Sequence, residues 1–189
     1  MKRGLLIVIS GPSGVGKDTI IQRLLELDRN LKYSVSCTTR APRAGEVDGE
    51  NYTFVTRERF EQLVEEGAFL EHATYNDNLY GTLRERVEQA RNERLDIVLK
   101  IEVKGAEQVR EREPDGLFIF VVAPSLEELE RRQKLRNSET AKDMASRRKI
   151  AESEMTYAEH YDHVVVNDEL ERTVGEILDI IREARQGQT

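Results

Sequence analysis

The stretch GPSGVGKDT, residues 11 to 19, places Gly11, Gly16 and Lys17 at the spacing of a phosphate-binding loop. Glycines let the backbone curl so that successive N–H groups aim at one anion, and the lysine reaches the outer phosphates of a nucleoside triphosphate. Gly11, Pro12, Ser13, Gly14, Val15, Gly16, Lys17, Asp18 and Thr19 are therefore candidate triphosphate-binding residues, a plain glycine turn with a surface lysine being the bland alternative. Asp18 stands where a hydroxyl ordinarily meets Mg²⁺. A carboxylate is also a hard oxygen donor for Mg²⁺, so Asp18 is a candidate metal ligand, directly or through water, and Thr19 can still donate to a phosphate oxygen.

Two further groups of residues could do chemistry. In YSVSCTTR, period-two alternation puts Ser34, Ser36, Thr38 and Arg40 on one face and Tyr33, Val35 and Cys37 on the other, with Arg43 and Tyr52 beyond. Hydroxyls beside two arginines suit a monophosphate, because a guanidinium matches phosphate oxygens bidentately; a polar sheet face is the alternative. Glu71, Tyr80 and Thr82 follow. A carboxylate there could accept from the N1–H and N2 amino group of guanine, and a threonine hydroxyl could donate to O6. Adenine, with a bare N1 acceptor, would be rejected, since unpaired buried polar groups are costly.

Lys100 and Glu102 interrupt the apolar run IVLKIEV at the end where ligands collect on open α/β sheets, either as site residues or simply as charges emerging into solvent. His72, His160 and His163 form no metal-ligand set, and Cys37 reads as a small buried hydrophobe. Tyr157 and Tyr161 read as packing residues rather than nucleotide-stacking ones, and the terminal RQGQT as a frayed tail.

The elements that must position these residues alternate. Leu5 to Ser10 is a buried-type strand, followed by the loop and by a helix with Ile20, Ile21, Leu24, Leu25 and Leu27 at helical spacing. Similar strand-like runs occur at Ile97 to Val103, Leu117 to Ala123 and His163 to Asn167, separated by helical segments. That order predicts a parallel sheet covered on both faces. The expected architecture is a three-layer α/β sandwich with one domain: core over 1–32, 82–124 and 159–189, a small mixed-sheet insertion over 33–81, and a helical lid over 125–158. SLEE marks a capping-box start at Ser125, and the last helix is expected at about 169 to 185.

Composition bounds the class. With 189 residues, 38% hydrophobic and 34% charged, the chain reads as one globular domain. Its net charge of −7 argues against non-specific nucleic-acid binding. Residues 131–149 nonetheless carry eight Lys or Arg against Glu139 and Asp143, which is either a local anion site or a solvated helical face. The apolar run Leu5 to Ile9 is too short for a signal peptide, no run reaches membrane-spanning length, and a single cysteine fits a reducing compartment, so a cytoplasmic location without membrane contact is expected.

Taken together, GPSGVGK, SVSCTTRAPRAGEVDGENYTFV, EGAFLEHATYNDNLYGT, APSLEELERR and VVVND resemble the successive signatures of the guanylate kinase family, over about residues 4 to 182. The resemblance implies transfer of the γ-phosphoryl of MgATP to GMP and dGMP, with ATP and GMP as the small-molecule partners and the protein a monomer or homodimer. It implies Ser36, Arg40, Arg43, Tyr52 and Tyr80 at the GMP phosphate; Glu71, Thr82 and Glu102 at the guanine; Arg132, Arg136 and Arg147 as lid arginines closing over the transferring group; and Asn167 beside the ATP adenine. Lys17 and Arg40 join the lid arginines as the catalytic set. A phosphopeptide-binding module of the same fold, or a sugar-phosphate kinase, is the alternative; the intact loop argues against the first and the guanine-reading set against the second. The chain departs from the family at Asp18, usually Ser, Thr or Gly; at Lys100, usually acidic; at Glu102, usually Asp; and at Leu135 to Asn137, usually Gly-Arg-Gly. An acid gained in the loop and a base gained on the neighbouring strand are expected to pair, keeping local charge constant.

Overall fold

A computed structural model describes residues 3–75, 77–136 and 156–187. Nine strands and six helices are numbered along the chain. They are β1 (Leu6–Ser10), α1 (Lys17–Leu27), β2 (Leu31–Tyr33), β3 (Cys37–Thr38), β4 (Thr53–Phe54), α2 (Arg57–Glu65), β5 (Phe69–Tyr75), β6 (Asn78–Leu83), α3 (Arg84–Asn92), β7 (Asp96–Lys100), α4 (Val103–Arg112), β8 (Leu117–Val122), α5 (Leu126–Arg136), β9 (His163–Val166) and α6 (Leu170–Gly187). A 3₁₀ turn spans Thr156–His160.

The core sheet has the order β2-β7-β1-β8-β9, and every pairing in it is parallel. Its inner strands β7, β1 and β8 are buried on both faces, which is why they read as apolar runs. Alternation within β1 sorts the layers: Ile7 and Ile9 enter the cluster with Ile20, Leu24, Val174 and Ile177, while Leu6 and Val8 enter the one with Val87, Ala106 and Val109. Thus α1 and α6 cover one face, and α3 and α4 the other. Burying each such side chain contributes about 1.5–3 kcal/mol against about 1–2 kcal/mol for ordering a residue's backbone. The balance favours the strand only because both neighbours in the sheet and both helical layers are present.

The second sheet, order β4-β3-β6-β5, is mixed: β3 runs parallel to β4 and antiparallel to β6. It is held by α2, where Thr56 Oγ1 accepts from the Arg59 N–H at 3.2 Å and Phe60 stacks on Phe69 at 4.5 Å between ring centroids.

Several expectations are corrected. The period-two run does not make one strand. Tyr33 belongs to β2 in the core sheet, and Ser34 N–H donates to Val98 O before the chain crosses to β3. The insertion edges drawn at 33 and 81 therefore fall inside β2 and β6. The run Ile97 to Val103 stops being a strand at Lys100, because Glu102 turns the chain as the N-cap of α4, its carbonyl accepting from Gly105 and Ala106. Lys100 and Glu102 are thus not same-face neighbours on one strand. The terminal tail is not frayed at Arg185, which lies within α6 and binds Asp96 and Asp28, each at 2.7 Å. Within 125–158 the described parts are α5 and the start of the 3₁₀ turn.

Candidate functional site

The loop after β1 leads into α1 at the C-terminal edge of the core sheet. Two of its glycines are required by geometry. Gly11 has φ 144° and a Cβ there would sit 2.1 Å from Val121 O; Gly16, the N-cap of α1, has φ 104° and a Cβ there would sit 2.5 Å from Asn167 Nδ2. Both are left-handed conformations that non-glycine residues rarely adopt. Lys17 is buried, with its ammonium donating to the carbonyls of Gly11 and, at 3.2 Å, Pro12. Asn167, just past β9, donates through Nδ2 to Val15 O at 2.7 Å, so the far edge of the sheet buttresses the loop. Its own carbonyl accepts from Arg132 Nη1 at 2.9 Å.

Arg132 is in turn held by Glu128 at 2.7 Å, and Arg131 binds the same carboxylate. These two guanidinium groups hold Glu128 well below the usual carboxylate range, at about 2. Ser125 Oγ accepts from the Glu128 N–H at 3.1 Å, which is half of the predicted capping box; the Glu128 side chain serves the arginines instead. Arg147 and Asn137 lie outside the described residues, as do the side chains of Leu135 and Arg136.

The second sheet brings Arg40, Tyr52 and Tyr80 together. The Arg40 guanidinium lies 5.3 Å from the Tyr52 ring centroid, and the Tyr52 and Tyr80 rings meet edge to face at 6.0 Å. Glu46, which the sequence reading overlooked, binds Arg40 at 2.8 Å and accepts from Arg43 N–H at 2.7 Å. A carboxylate thus joins the guanidinium of one candidate phosphate-binding arginine to the backbone of another, and the hydrogen bond with Arg40 lowers its pKa. Ser36 is buried nearby in sequence, its carbonyl accepting from Thr53 N–H, and the Arg43 side chain is exposed.

Glu71 on β5 is only 3% exposed and accepts from the Thr82 hydroxyl of β6 at 2.6 Å. Burial pushes its carboxyl up to about 7, opposed by the Thr82 hydrogen bonds and by Arg112. Thr82 thus donates its hydroxyl proton to the neighbouring carboxylate. A residue missed in the sequence, Gly105 of α4, makes this possible: a Cβ there would lie 2.6 Å from Glu71 Oε2. Gly105 N–H donates to the carbonyl of half-buried Glu102 at 2.9 Å, in the first turn of α4.

The predicted charge pair is present. Lys100 Nζ lies 2.5 Å from Asp18 Oδ1 and 5.7 Å from the Tyr52 ring centroid, joining the phosphate loop to the second sheet. Among the described residues no group of three or more His, Cys, Asp or Glu is placed to hold a metal ion, and no helix is long and apolar enough to cross a membrane. Cys37 is buried, and Tyr161 packs against Phe120 at 4.9 Å between ring centroids, as a core residue.

The comparisons agree with this arrangement. The family model described as guanylate kinase matches residues 3–184. A guanylate kinase of Caldanaerobacter subterraneus subsp. tengcongensis is 49% identical over 95% of this chain and 87% of its own. One of Rubrobacter xylanophilus is 48% identical over 96% and 95%. The crystal structure of guanylate kinase from Anaplasma phagocytophilum superposes with a TM-score of 0.81 at 37% identity, covering 96% of this chain and 86% of that one. A shikimate kinase from Bacteroides thetaiotaomicron, 16% identical with a TM-score of 0.53 over 94% of this chain and 98% of its own, shares the fold alone. With a loop built for phosphates, a second sheet bearing an arginine–tyrosine cluster and a buried carboxylate, and relatives matched nearly end to end, the chain belongs to the guanylate kinase family.

Proposed function

We propose that this protein transfers the γ-phosphoryl group of ATP to GMP, and to dGMP, giving ADP and GDP reversibly. The observation that carries the choice of acceptor is the buried Glu71 carboxylate beside Thr82. A carboxylate kept from water is costly unless an occupant supplies N–H donors, and the Watson–Crick edge of guanine does so.

No protein nucleophile is required, because an acceptor phosphate oxygen is ionised at neutral pH. The chain's task is alignment, charge neutralisation and exclusion of water. In this reading Lys17 leaves the loop carbonyls for the outer phosphates of ATP, while the backbone from Gly11 to Thr19 cradles them and Asn167 flanks the adenine. Ser36, Arg40, Arg43, Tyr52 and Tyr80 hold the acceptor phosphate. Glu71, Thr82 and Glu102 read the base, and Arg132, Arg136 and Arg147 gather over the transferring group as the lid closes. Closure keeps water from hydrolysing ATP.

Mg²⁺ bound with ATP adds charge neutralisation at the phosphates. Asp18 is the loop residue that would hold it, directly or through water, while Thr19 would donate to a phosphate oxygen. The carboxylate is a hard oxygen donor that fits this ion, with Lys100 competing for it. The lone cysteine supports a cytoplasmic setting, for a monomer or homodimer.

The test is ADP release from MgATP with GMP, dGMP, AMP, UMP and ribose phosphates as acceptors, for wild type and Glu71→Ala. Turnover restricted to GMP and dGMP, and lost in the variant, supports the reading. Equal turnover with AMP, or with ribose phosphates, defeats it.

A further inference from the structure

Lys100 ends β7, in register with Ile9 just before the phosphate loop, so its side chain starts from the floor between the two substrate sites. Its ammonium meets Asp18 of the loop on one side and faces the Tyr52 ring of the second sheet on the other. The two partners differ in exposure. The Lys100 side chain is 19% exposed and that of Asp18 is 64% exposed, so the cation belongs to the cleft and the anion reaches over it from solvent. Lysine is ordinarily protonated at neutral pH, and the contact with the Asp18 carboxylate favours the charged form of Lys100. Tyr52 also carries the Arg40 guanidinium, 5.3 Å from its ring centroid. Tyr52 thus has two cations near its ring, Arg40 bound by Glu46 and Lys100 bound by Asp18, and cations gathered beside a cleft form a seat for an anion.

The geometry points to Lys100 as a phosphate-binding residue for the acceptor nucleotide, restrained in the free protein by Asp18. This deepens the kinase reading and rests on it. Binding of the acceptor phosphate trades the Lys100–Asp18 contact for a Lys100–phosphate contact, so the two substrate sites share one charge. Asp18 then lowers acceptor affinity by competing for the ammonium, and does so only while Lys100 is present.

The test measures GMP binding by calorimetry, without ATP or Mg²⁺, in wild type, Lys100→Met, Lys100→Arg, Asp18→Ser and Asp18→Ser/Lys100→Met, with thermal melts of each. Loss of a charge-assisted hydrogen bond predicts GMP binding weakened by on the order of 10-fold or more in Lys100→Met, and largely retained in Lys100→Arg. Release of a partly exposed ion pair predicts GMP binding tightened about 2- to 5-fold in Asp18→Ser. In the Lys100→Met background the Asp18→Ser change should have no effect. Unchanged affinity in Lys100→Met overturns the assignment, as does equal tightening by Asp18→Ser in both backgrounds, which would mean simple repulsion between Asp18 and the ligand. If Lys100→Met does not fold, failure of Asp18→Ser to tighten binding overturns it instead. Absence of GMP binding in the folded wild type is a different failure, that of the kinase reading itself.

Discussion

The Thr82 hydroxyl donates to Glu71 Oε1 at 2.6 Å between two antiparallel strands, and this single bond accompanies a carboxyl group buried to 3% exposure and raised to about 7. The proton on Glu71 is therefore linked to both folding and base recognition. A carboxyl with a folded pKa near 7 and an ordinary value of 4.5 binds more protons folded than unfolded between those values. Its contribution is most favourable below 4.5 and is lost as pH rises through 7. The span corresponds to about 3 kcal/mol. Urea unfolding of wild type and Glu71→Gln from pH 5 to 8 should show the wild type losing stability relative to the variant as pH rises.

In the proposed reading guanine is met by the ionised Glu71 carboxylate, so GMP binding at pH 7 should release about half a proton. Calorimetry in two buffers of different ionisation enthalpy reads this directly. Equal heats in both buffers would leave Glu71 out of base recognition.

Gly105 gives Glu71 its room. A methyl group in Gly105→Ala would overlap Glu71 Oε2, and moving the carboxylate would break the alignment with the base that the proposed reading requires. The expected result is a GMP KM raised on the order of 10-fold, with the ATP KM nearly unchanged. Steady-state kinetics with each substrate varied separately distinguishes this from a general loss of stability, which would lower the active fraction without moving either KM.

Asn167→Ala removes the Val15 buttress while leaving the loop glycines in place. Losing one neutral hydrogen bond costs about 1 kcal/mol, so the ATP KM should rise about 5-fold while GMP binding stays constant. An equal effect on both substrates would place Asn167 in general scaffolding.

Arg185→Ala should destabilise the protein without touching either substrate. Its guanidinium bridges Asp28 and buried Asp96, and Asp96 Oδ1 also accepts from the Leu5 N–H at 2.7 Å. Stranding that aspartate predicts a loss of about 2 kcal/mol in urea unfolding, with unchanged KM values.

Local chemistry made much of this molecule legible in its sequence. β1 and β8 are apolar runs because the centre of a parallel sheet is buried on both faces, and the Gly11 to Lys17 spacing follows from a backbone that must curl around an anion. The Asp18–Lys100 pair was readable because two unusual charges compensate each other. Tertiary structure alone decided the rest. Whether Ile97 to Val103 stays a strand depends on Glu102 standing as the N-cap of α4, whose Gly105 packs against Glu71, 34 positions earlier in the chain. Tyr33 joins the core sheet through pairing with Val98, a partner that period-two alternation cannot name. Side-chain type and spacing record which groups can interact; which surface each one meets depends on contacts between segments far apart in sequence, and only the folded chain brings those together.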